Sequence, residues 1–235
     1  MKAFLLAAGH GTRLRPYTNV VPKCLLPIQG VPMLEIWLAL CCEYGITEVL
    51  VNTHAHSGAV VDFVRKWRNG VHVVVMEEPE LFGSAGTLRA NRDWVGSDDK
   101  FWVFYADVLT NVNLAAMLDF HSPQSAATLG VYTVPDPERC GIVQVTQDHV
   151  ITAFTEKPAV PKGRWAFAGI MIGTQEMLDA IPETSGSDIA FDVLPRMVAR
   201  MRAYPIPDFV LDIGTPENYE QAQKTWPARA KRQSR

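Results

Sequence analysis

Three features of the sequence predict an α/β fold with a mostly parallel central sheet flanked by helices. Four short apolar runs, at residues 3–7, 48–53, 71–76 and 101–106, are rich in β-branched and aromatic side chains and bounded by polar residues or glycine, as buried strands are. Helix-like segments at 33–45, 58–69 and 85–94 separate them. That alternation and spacing favour parallel strands joined by right-handed crossovers.

Each element has a local reason. The first strand, Ala3-Phe4-Leu5-Leu6-Ala7, runs into a glycine loop; the helix over 33–45 stops at Gly45, and the one over 85–94 runs into Gly96. From residue 126 the pattern changes. Segments 126–134, 142–146, 149–155 and 166–173 read as β and are separated by Pro and Gly, with Gln147-Asp148 as a hairpin turn. Helices are expected over 174–181 and 188–201, then a strand pair, then a last helix from Pro216 to Thr225 that starts well because proline occupies its first position after Thr215. No repeat or low-complexity linker interrupts the chain.

Composition narrows the function. With 235 residues, 48% of them apolar and 20% charged, the chain can bury a sizeable core. Its 25 acids against 22 bases give a net charge of −3, which argues against a general nucleic-acid binder. Arg229, Lys231, Arg232 and Arg235 crowd the end, a basic stretch that reads as a frayed tail over 227–235. No apolar run is long enough to cross a bilayer, and the apolar N-terminal stretch is too short for a signal peptide, so no membrane association is expected. Cys24, Cys41, Cys42 and Cys140 form no C-x-x-C pair, which points to a reducing, cytoplasmic setting; His54-Ala55-His56 lacks a third ligand and reads as a polar loop edge.

The strongest chemical signal follows the first strand. Leu6-Ala7-Ala8-Gly9-His10-Gly11-Thr12-Arg13-Leu14-Arg15-Pro16 is a glycine loop that exposes amides to phosphate and carries arginines. Leu14 stands where a dinucleotide fingerprint needs its third glycine, which counts against a nicotinamide-dependent dehydrogenase, and no Gly-Lys-Ser/Thr marks a P-loop. What remains suits a triphosphate whose pyrophosphate must leave.

Taken with Pro22-Lys23-Cys24-Leu25-Leu26-Pro27-Ile28, the loop resembles the signature of the sugar-phosphate nucleotidyltransferases, the NDP-sugar pyrophosphorylases. Leu81-Phe82-Gly83-Ser84-Ala85-Gly86-Thr87-Leu88 resembles that family's base-binding loop, Tyr105-Ala106-Asp107-Val108-Leu109-Thr110 its G-D-x-L-T strand end, Glu156-Lys157-Pro158 its sugar-phosphate element, and Leu211 to Tyr219 its D-x-G-T-P-E-x-Y element. The resemblance spans residues 2 to about 222. It implies a Rossmann-like nucleotidyltransferase fold with a small added β region for sugar binding, a single catalytic domain over 1–226, and transfer of a nucleotidyl group to a sugar 1-phosphate with Mg²⁺ as cofactor. By the same resemblance Arg13, Lys23 and Asp107 are the catalytic residues. Leu6, Ala7, Ala8, Gly9, Gly11, Thr12, Arg13, Lys23, Glu78, Gly83, Ser84 and Gly86 line the nucleotide. Asp107, Gly141, Glu156, Lys157 and Gly169 line the sugar phosphate, and Asp107 and Asp212 hold the metal.

The residue chemistry is consistent with each role. Asp107 and Asp212 each end a short apolar run, and two carboxylates leave a magnesium ion room for water and phosphate oxygens. Glu156 can accept hydrogen bonds from sugar hydroxyls. Three departures from the family pattern stand out: Ala106 for glycine, Phe167 for the asparagine of Asn-Ala-Gly, and Cys140 for tyrosine before Gly141. The Gly-Ser-Ala-Gly form of the second loop resembles the branch that uses GTP and mannose or heptose 1-phosphate, and a carboxylate among Glu77, Glu78 and Glu80 could pair with guanine. A uridylyl- or thymidylyltransferase, or a non-catalytic nucleotide-sugar-binding subunit, are the alternatives. A monomer or homodimer acting on a nucleoside triphosphate and a sugar 1-phosphate is expected.

Overall fold

In a computed structural model, which describes residues 1–227, the four apolar runs are adjacent strands of one nine-stranded sheet. The chain runs through β1 (Lys2–Leu6), a pair of two-residue strands β2 (Pro27–Ile28) and β3 (Val31–Pro32), α1 (Met33–Glu43), β4 (Glu48–Thr53), α2 (Ser57–Lys66), β5 (His72–Glu77), α3 (Ser84–Ala90), α4 (Arg92–Val95) and β6 (Lys100–Tyr105). β7 (Val108–Thr110), α5 (Leu114–Phe120), β8 (Ala127–Thr133), β9 (Gly141–Val145), β10 (Ile151–Glu156), β11 (Trp165–Thr174), α6 (Gln175–Asp179), β12 (Met201–Pro205), β13 (Val210–Asp212) and α7 (Pro216–Thr225) follow. Within the sheet the order is β10-β9-β11-β6-β1-β4-β5, with β8 and β12 on a branch from β11. β6, β1, β4 and β5 are mutually parallel, whereas β11 is antiparallel to β6.

Alternation along these strands divides the core. Ala3, Leu5, Val49, Val51, Trp102 and Phe104 face Leu34, Trp37, Leu38 and Cys41 of α1, Val60 of α2 and Met117 of α5. On the opposite face Phe4, Leu50, Phe101 and Val103 pack with Ala85 and Leu88 of α3 and Met177 and Leu178 of α6. A period of two thus buries both faces of the sheet, which is why the strands are apolar throughout.

A third cluster, of Leu14, Leu26, Ile28, Met33, Leu109, Ile213, Tyr219, Ala222 and Trp226, ties the C-terminal helix to the segment after the glycine loop. The Tyr219 hydroxyl and Gln223 Nε2 both donate to the Pro27 carbonyl, at 2.9 and 2.7 Å. Thr215 caps α7 by accepting from the Asn218 amide. The expected basic tail over 227–235 lies, from residue 228 on, outside the described residues.

The structure corrects the sequence reading in several places. The helix expected over 188–201 is a π-helical turn at Ile189–Val193 followed by a 3₁₀ turn at Leu194–Met197, and Met201 already belongs to β12. Pro195 cannot donate a helical hydrogen bond, and the chain must be extended by residue 201 to pair with β8. The expected strand pair beyond it does not pair with itself: β12 runs parallel to β8, and β13 pairs antiparallel with β7. The helix expected over 85–94 is broken at Asn91 into α3 and α4, and α2 ends at Lys66, because Trp67 turns extended. Neither β7 nor α5 stands out in the hydropathy pattern; α5 is capped by the Asn113 side chain, which accepts from the Ala116 amide. The hairpin at Gln147-Asp148 forms as expected, joining β9 to β10. The added β region continues the main sheet.

Leu14 is fully buried in the third cluster. Leu14→Ala should lower the unfolding free energy by about 2–4 kcal/mol, measurable by urea denaturation followed through tryptophan fluorescence.

Candidate functional site

Because β1, β4, β5 and β6 are parallel, Ala7, His54, Glu78 and Ala106 all leave the sheet at one edge. Open α/β sheets place ligands at this carboxyl edge. The glycine loop follows β1, and Gly11 needs its lack of a side chain: its φ is +62°, and a Cβ there would lie 3.0 Å from the Thr18 methyl group. The Thr18 hydroxyl closes the loop by donating to the Gly11 carbonyl at 2.7 Å. Leu14 is the buried anchor, whereas Gly9, Thr12, Arg13 and Arg15 are exposed, with Gly11 half-buried and Ala8 buried beneath them.

A residue that sequence reasoning missed ties this loop to the next. Asn52, near the end of β4, accepts from the Ala7 amide at 2.7 Å and donates to Glu78 Oε1 at 2.8 Å and to the Thr87 hydroxyl at 3.0 Å. A polar residue at the end of the otherwise apolar Val49-Leu50-Val51 was the available signal. The Thr87 hydroxyl donates to the same Glu78 oxygen, and the other Glu78 oxygen accepts from the Phe82 amide at 3.1 Å. Glu78 is therefore a buried brace with both oxygens engaged by protein donors, while Glu77 and Glu80 are exposed. His54 joins the brace through Nδ1, 2.8 Å from the Glu78 carbonyl, and packs edge-on against His10 of the glycine loop.

The second loop docks on a strap formed by residues 186–192. A Cβ on Gly83 would stand 2.3 Å from the Ser187 carbonyl oxygen, so this position requires glycine. That same carbonyl accepts from the Ala85 and Gly86 amides, and the Ser84 hydroxyl donates to Asp188 Oδ2 at 2.8 Å while accepting from the Ile189 amide at 2.7 Å. Ser187 and Asp188 look in sequence like nothing more than a helix cap, and Asp188 does accept from the Ala190 and Phe191 amides.

Lys23 and Asp107 meet at the centre of the edge. Nζ lies 2.6 Å from Asp107 Oδ2, with the lysine mostly buried and the aspartate about one-third exposed. Asp212 arrives through the β7–β13 pairing, in which it stands opposite Val108, while the Ile213 amide donates to the Asp107 carbonyl at 2.8 Å. The Asp212 pKa is raised, first by burial among protein groups and then by the Asp107 charge; Lys23 and Arg13 oppose the shift. One side of Asp212 still opens to solvent. A Cβ on Gly214 would lie 2.4 Å from Asp212 Oδ1 and 3.4 Å from the Arg13 guanidinium, so Gly214 leaves room for both.

The remaining predicted residues form the other wall. Glu156 lies opposite Gly141 in the β9–β10 pairing, and a Cβ on Gly141 would fall 2.5 Å from its carboxylate. Burial raises the Glu156 pKa, partly offset by Lys157, whose Nζ is 3.8 Å away and also lies over the Phe191 ring. The Lys157 amide donates to the Cys140 carbonyl. Gly169, at φ +68°, sits at the β11 irregularity between Phe167 and Met171 and packs against Tyr105. Phe167 meets Tyr105 edge-on, so an aromatic wall stands at the position where the family pattern has asparagine.

Among the described residues no group of three or more His, Cys, Asp or Glu side chains could hold a metal. The pair Asp107 and Asp212 nevertheless fits magnesium: two hard oxygen donors, close enough for each charge to act on the other, with one side open. Phosphate oxygens and water would complete such a shell.

An open α/β sheet with a glycine loop and paired carboxylates at its carboxyl edge defines the architectural class. The chain belongs to the nucleotidyl transferase family, matching it over residues 2–228. It is 31% identical over 224 residues to a mannose-1-phosphate guanylyltransferase of Mycobacterium tuberculosis, covering 92% of this chain. It is 32% identical over 241 residues to a UTP–glucose-1-phosphate uridylyltransferase of Synechocystis, covering 94%. The chain spans 62% of the length of each of these relatives. In fold it resembles HddC from Yersinia pseudotuberculosis, solved with GMP-PN, at a TM-score of 0.81 and 22% identity over 96% of this chain and 99% of that one. No helix among the described residues is long and apolar enough to cross a membrane.

Two outcomes follow from this geometry. Asn52→Ala strips a partner from Ala7, Glu78 and Thr87 at once, and should lower stability by about 1–3 kcal/mol, measurable by urea denaturation. The folded-state pKa of Glu156 lies above its ordinary value of 4.5, so its ionised form costs stability above the folded pKa, and that cost disappears below the ordinary value. Glu156→Gln should therefore raise Tm at pH 7.5 and lose that advantage at about pH 4.

Proposed function

We propose that the protein transfers a nucleotidyl group from a nucleoside triphosphate to a sugar 1-phosphate, releasing pyrophosphate and forming an NDP-sugar. The observation that carries this reading is the Lys23–Asp107 ion pair set beside Asp212 and Arg13 at the carboxyl edge of the sheet. In this reaction an oxygen of the sugar phosphate attacks the α-phosphorus of the triphosphate. Both reactants are anionic, so their repulsion must be cancelled before they meet. Lys23 and Arg13 are placed to balance phosphate charge, Arg13 toward the departing pyrophosphate. The glycine loop offers amides from Ala8 to Thr12, and Glu156 and Lys157 are placed to hold the sugar hydroxyls and its phosphate. A magnesium ion held by Asp107 and Asp212 would supply further charge neutralisation at the phosphates. No protein nucleophile or general base is needed, because the sugar phosphate is already ionised at neutral pH. Alignment and electrostatic stabilisation supply the acceleration.

GTP and a mannose- or heptose-type sugar phosphate are the favoured substrates, supported by the Gly-Ser-Ala-Gly loop and by guanylyltransferases among the relatives. A uridylyltransferase among the relatives supports the alternative of a pyrimidine nucleotide. Glu78 is already engaged by Asn52, Thr87 and Phe82, which favours Glu77, Glu80 or the loop backbone for reading the base. A regulatory, non-catalytic role is disfavoured because Arg13, Lys23, Asp107 and Asp212 are all present.

Pyrophosphate release measured with each triphosphate, a panel of sugar 1-phosphates and added magnesium tests the proposal. Activity should vanish on chelation. Lys23→Ala and Asp107→Ala should each lower kcat/KM by about two orders of magnitude or more. Near-normal turnover in Asp107→Ala would refute the assignment.

A further inference from the structure

Phe191 and Lys157 meet from two elements whose backbones are each held in an uncommon shape. Phe191 is 56% exposed, and Lys157 Nζ stands 5.6 Å from the centre of its ring. A single exposed phenylalanine is unremarkable on its own. This one is presented by the π-helical turn at Ile189–Val193, a rare geometry that recurs at functional sites. The turn is locked around it: Asp188 Oδ1 accepts from the Ala190 and Phe191 amides at 2.8 and 3.0 Å, and Asp192 Oδ2 accepts from the Asp188 amide at 2.7 Å. Asp188 Oδ2 also takes the Ser84 hydroxyl, so the strap that grips the second loop is the element that carries the ring. Lys157 has a φ of +46°, in the left-handed region that residues with side chains seldom adopt, and its amide is tied to the Cys140 carbonyl at 3.0 Å. Its side chain is mostly exposed, and its ammonium lies 3.8 Å from Glu156 Oε1, against 2.6 Å in the Lys23–Asp107 pair. The ammonium is therefore shared by a carboxylate and an aromatic face.

We propose that Phe191 is a positioning residue for Lys157, its ring keeping the ammonium from closing onto Glu156 and leaving it available to the phosphate of the sugar 1-phosphate. The proposal rests on the sugar-phosphate reading of Glu156 and Lys157. A lysine beside a carboxylate tends to pair with it, and a fully closed pair would withdraw both groups from a substrate that needs the carboxylate for its hydroxyls and the ammonium for its phosphate. The negative face of an aromatic ring attracts the ammonium more weakly than a carboxylate does, so phosphate oxygens can still claim its three N–H donors. A flexible lysine already resting against a ring on a locked turn also loses less rotational freedom when phosphate binds.

The test uses the full chain and its Phe191→Leu, Phe191→Tyr, Lys157→Met and Phe191→Leu/Lys157→Met variants. Pyrophosphate release is measured with GTP and with UTP, against mannose and glucose 1-phosphates, and Tm is recorded for each variant. Phe191→Leu should raise KM for the sugar phosphate about two- to fivefold, the scale of an exposed cation–π contact, with KM for the triphosphate and Tm unchanged. Phe191→Tyr, which keeps an aromatic face, should restore the wild-type KM. In the Lys157→Met background, Phe191→Leu should cost nothing further, because the ring acts only through the ammonium. An unchanged sugar-phosphate KM in Phe191→Leu overturns the proposal while the reaction stands. An equal loss with and without Lys157 also overturns it, since the ring then acts on the substrate or the fold directly. So does a fall in Tm with both KM values rising together, which would make Phe191 a support of the strap. If the wild type releases no pyrophosphate with any pair, the sugar-phosphate reading itself is wrong and this proposal falls with it.

Discussion

The candidate site depends on a pairing of three residues with three. β13 joins β7 through Val210 opposite Thr110, Leu211 opposite Leu109 and Asp212 opposite Val108. This short ladder carries Asp212 to Asp107, and the third hydrophobic cluster supports it from below with Leu109, Ile213 and the C-terminal helix. That helix also holds Pro27, a few residues past Lys23. Lysine, first carboxylate and second carboxylate are thus fixed by one small packed unit, although their chain segments are far apart. The Asp107 charge works against ionisation of Asp212, and Lys23 and Arg13 act in the opposite sense.

A second unit fixes the two loops. Asn52 bridges the start of the glycine loop to Glu78 and Thr87, and the 186–192 strap grips the second loop through Ser187 and Asp188. None of these residues carries the chemistry proposed here; they keep the two loops at a constant separation. Interlocked polar networks of this kind hold loops in one arrangement because any displacement strands several donors at once.

How much of this could be read from the sequence follows from the range of the interactions. The parallel strands and their helices were legible because burial on both faces leaves a local apolar signature. The motifs carrying Arg13, Lys23, Asp107, Glu156, Lys157 and Asp212 were legible as short continuous patterns. The strap was not: a helical pattern over 188–201 is overridden by Pro195 and by the demand that β12 extend along β8. β7 was hidden because three residues are too few to show periodicity, and its partner lies about a hundred positions away. Asn52 was visible as a polar residue in an apolar run, but its meaning depends on Glu78 and Thr87, which only the parallel register brings near.

The Ser187 carbonyl has a directional consequence. The first amides of a helix form an electropositive end that attracts phosphate, and α3 begins beside the site. Ala85 and Gly86 already give their amides to Ser187, so that end is neutralised by the protein itself. For a ligand that is an anion at one end and a flat heterocycle at the other, the two loops are then unequal hosts. On the proposed function, the glycine loop after β1 is then the better host for the charged end of a nucleotide, and the second loop for its flat end. The proposed substrate would in this way be oriented by its charge, before any residue inspects which base it carries.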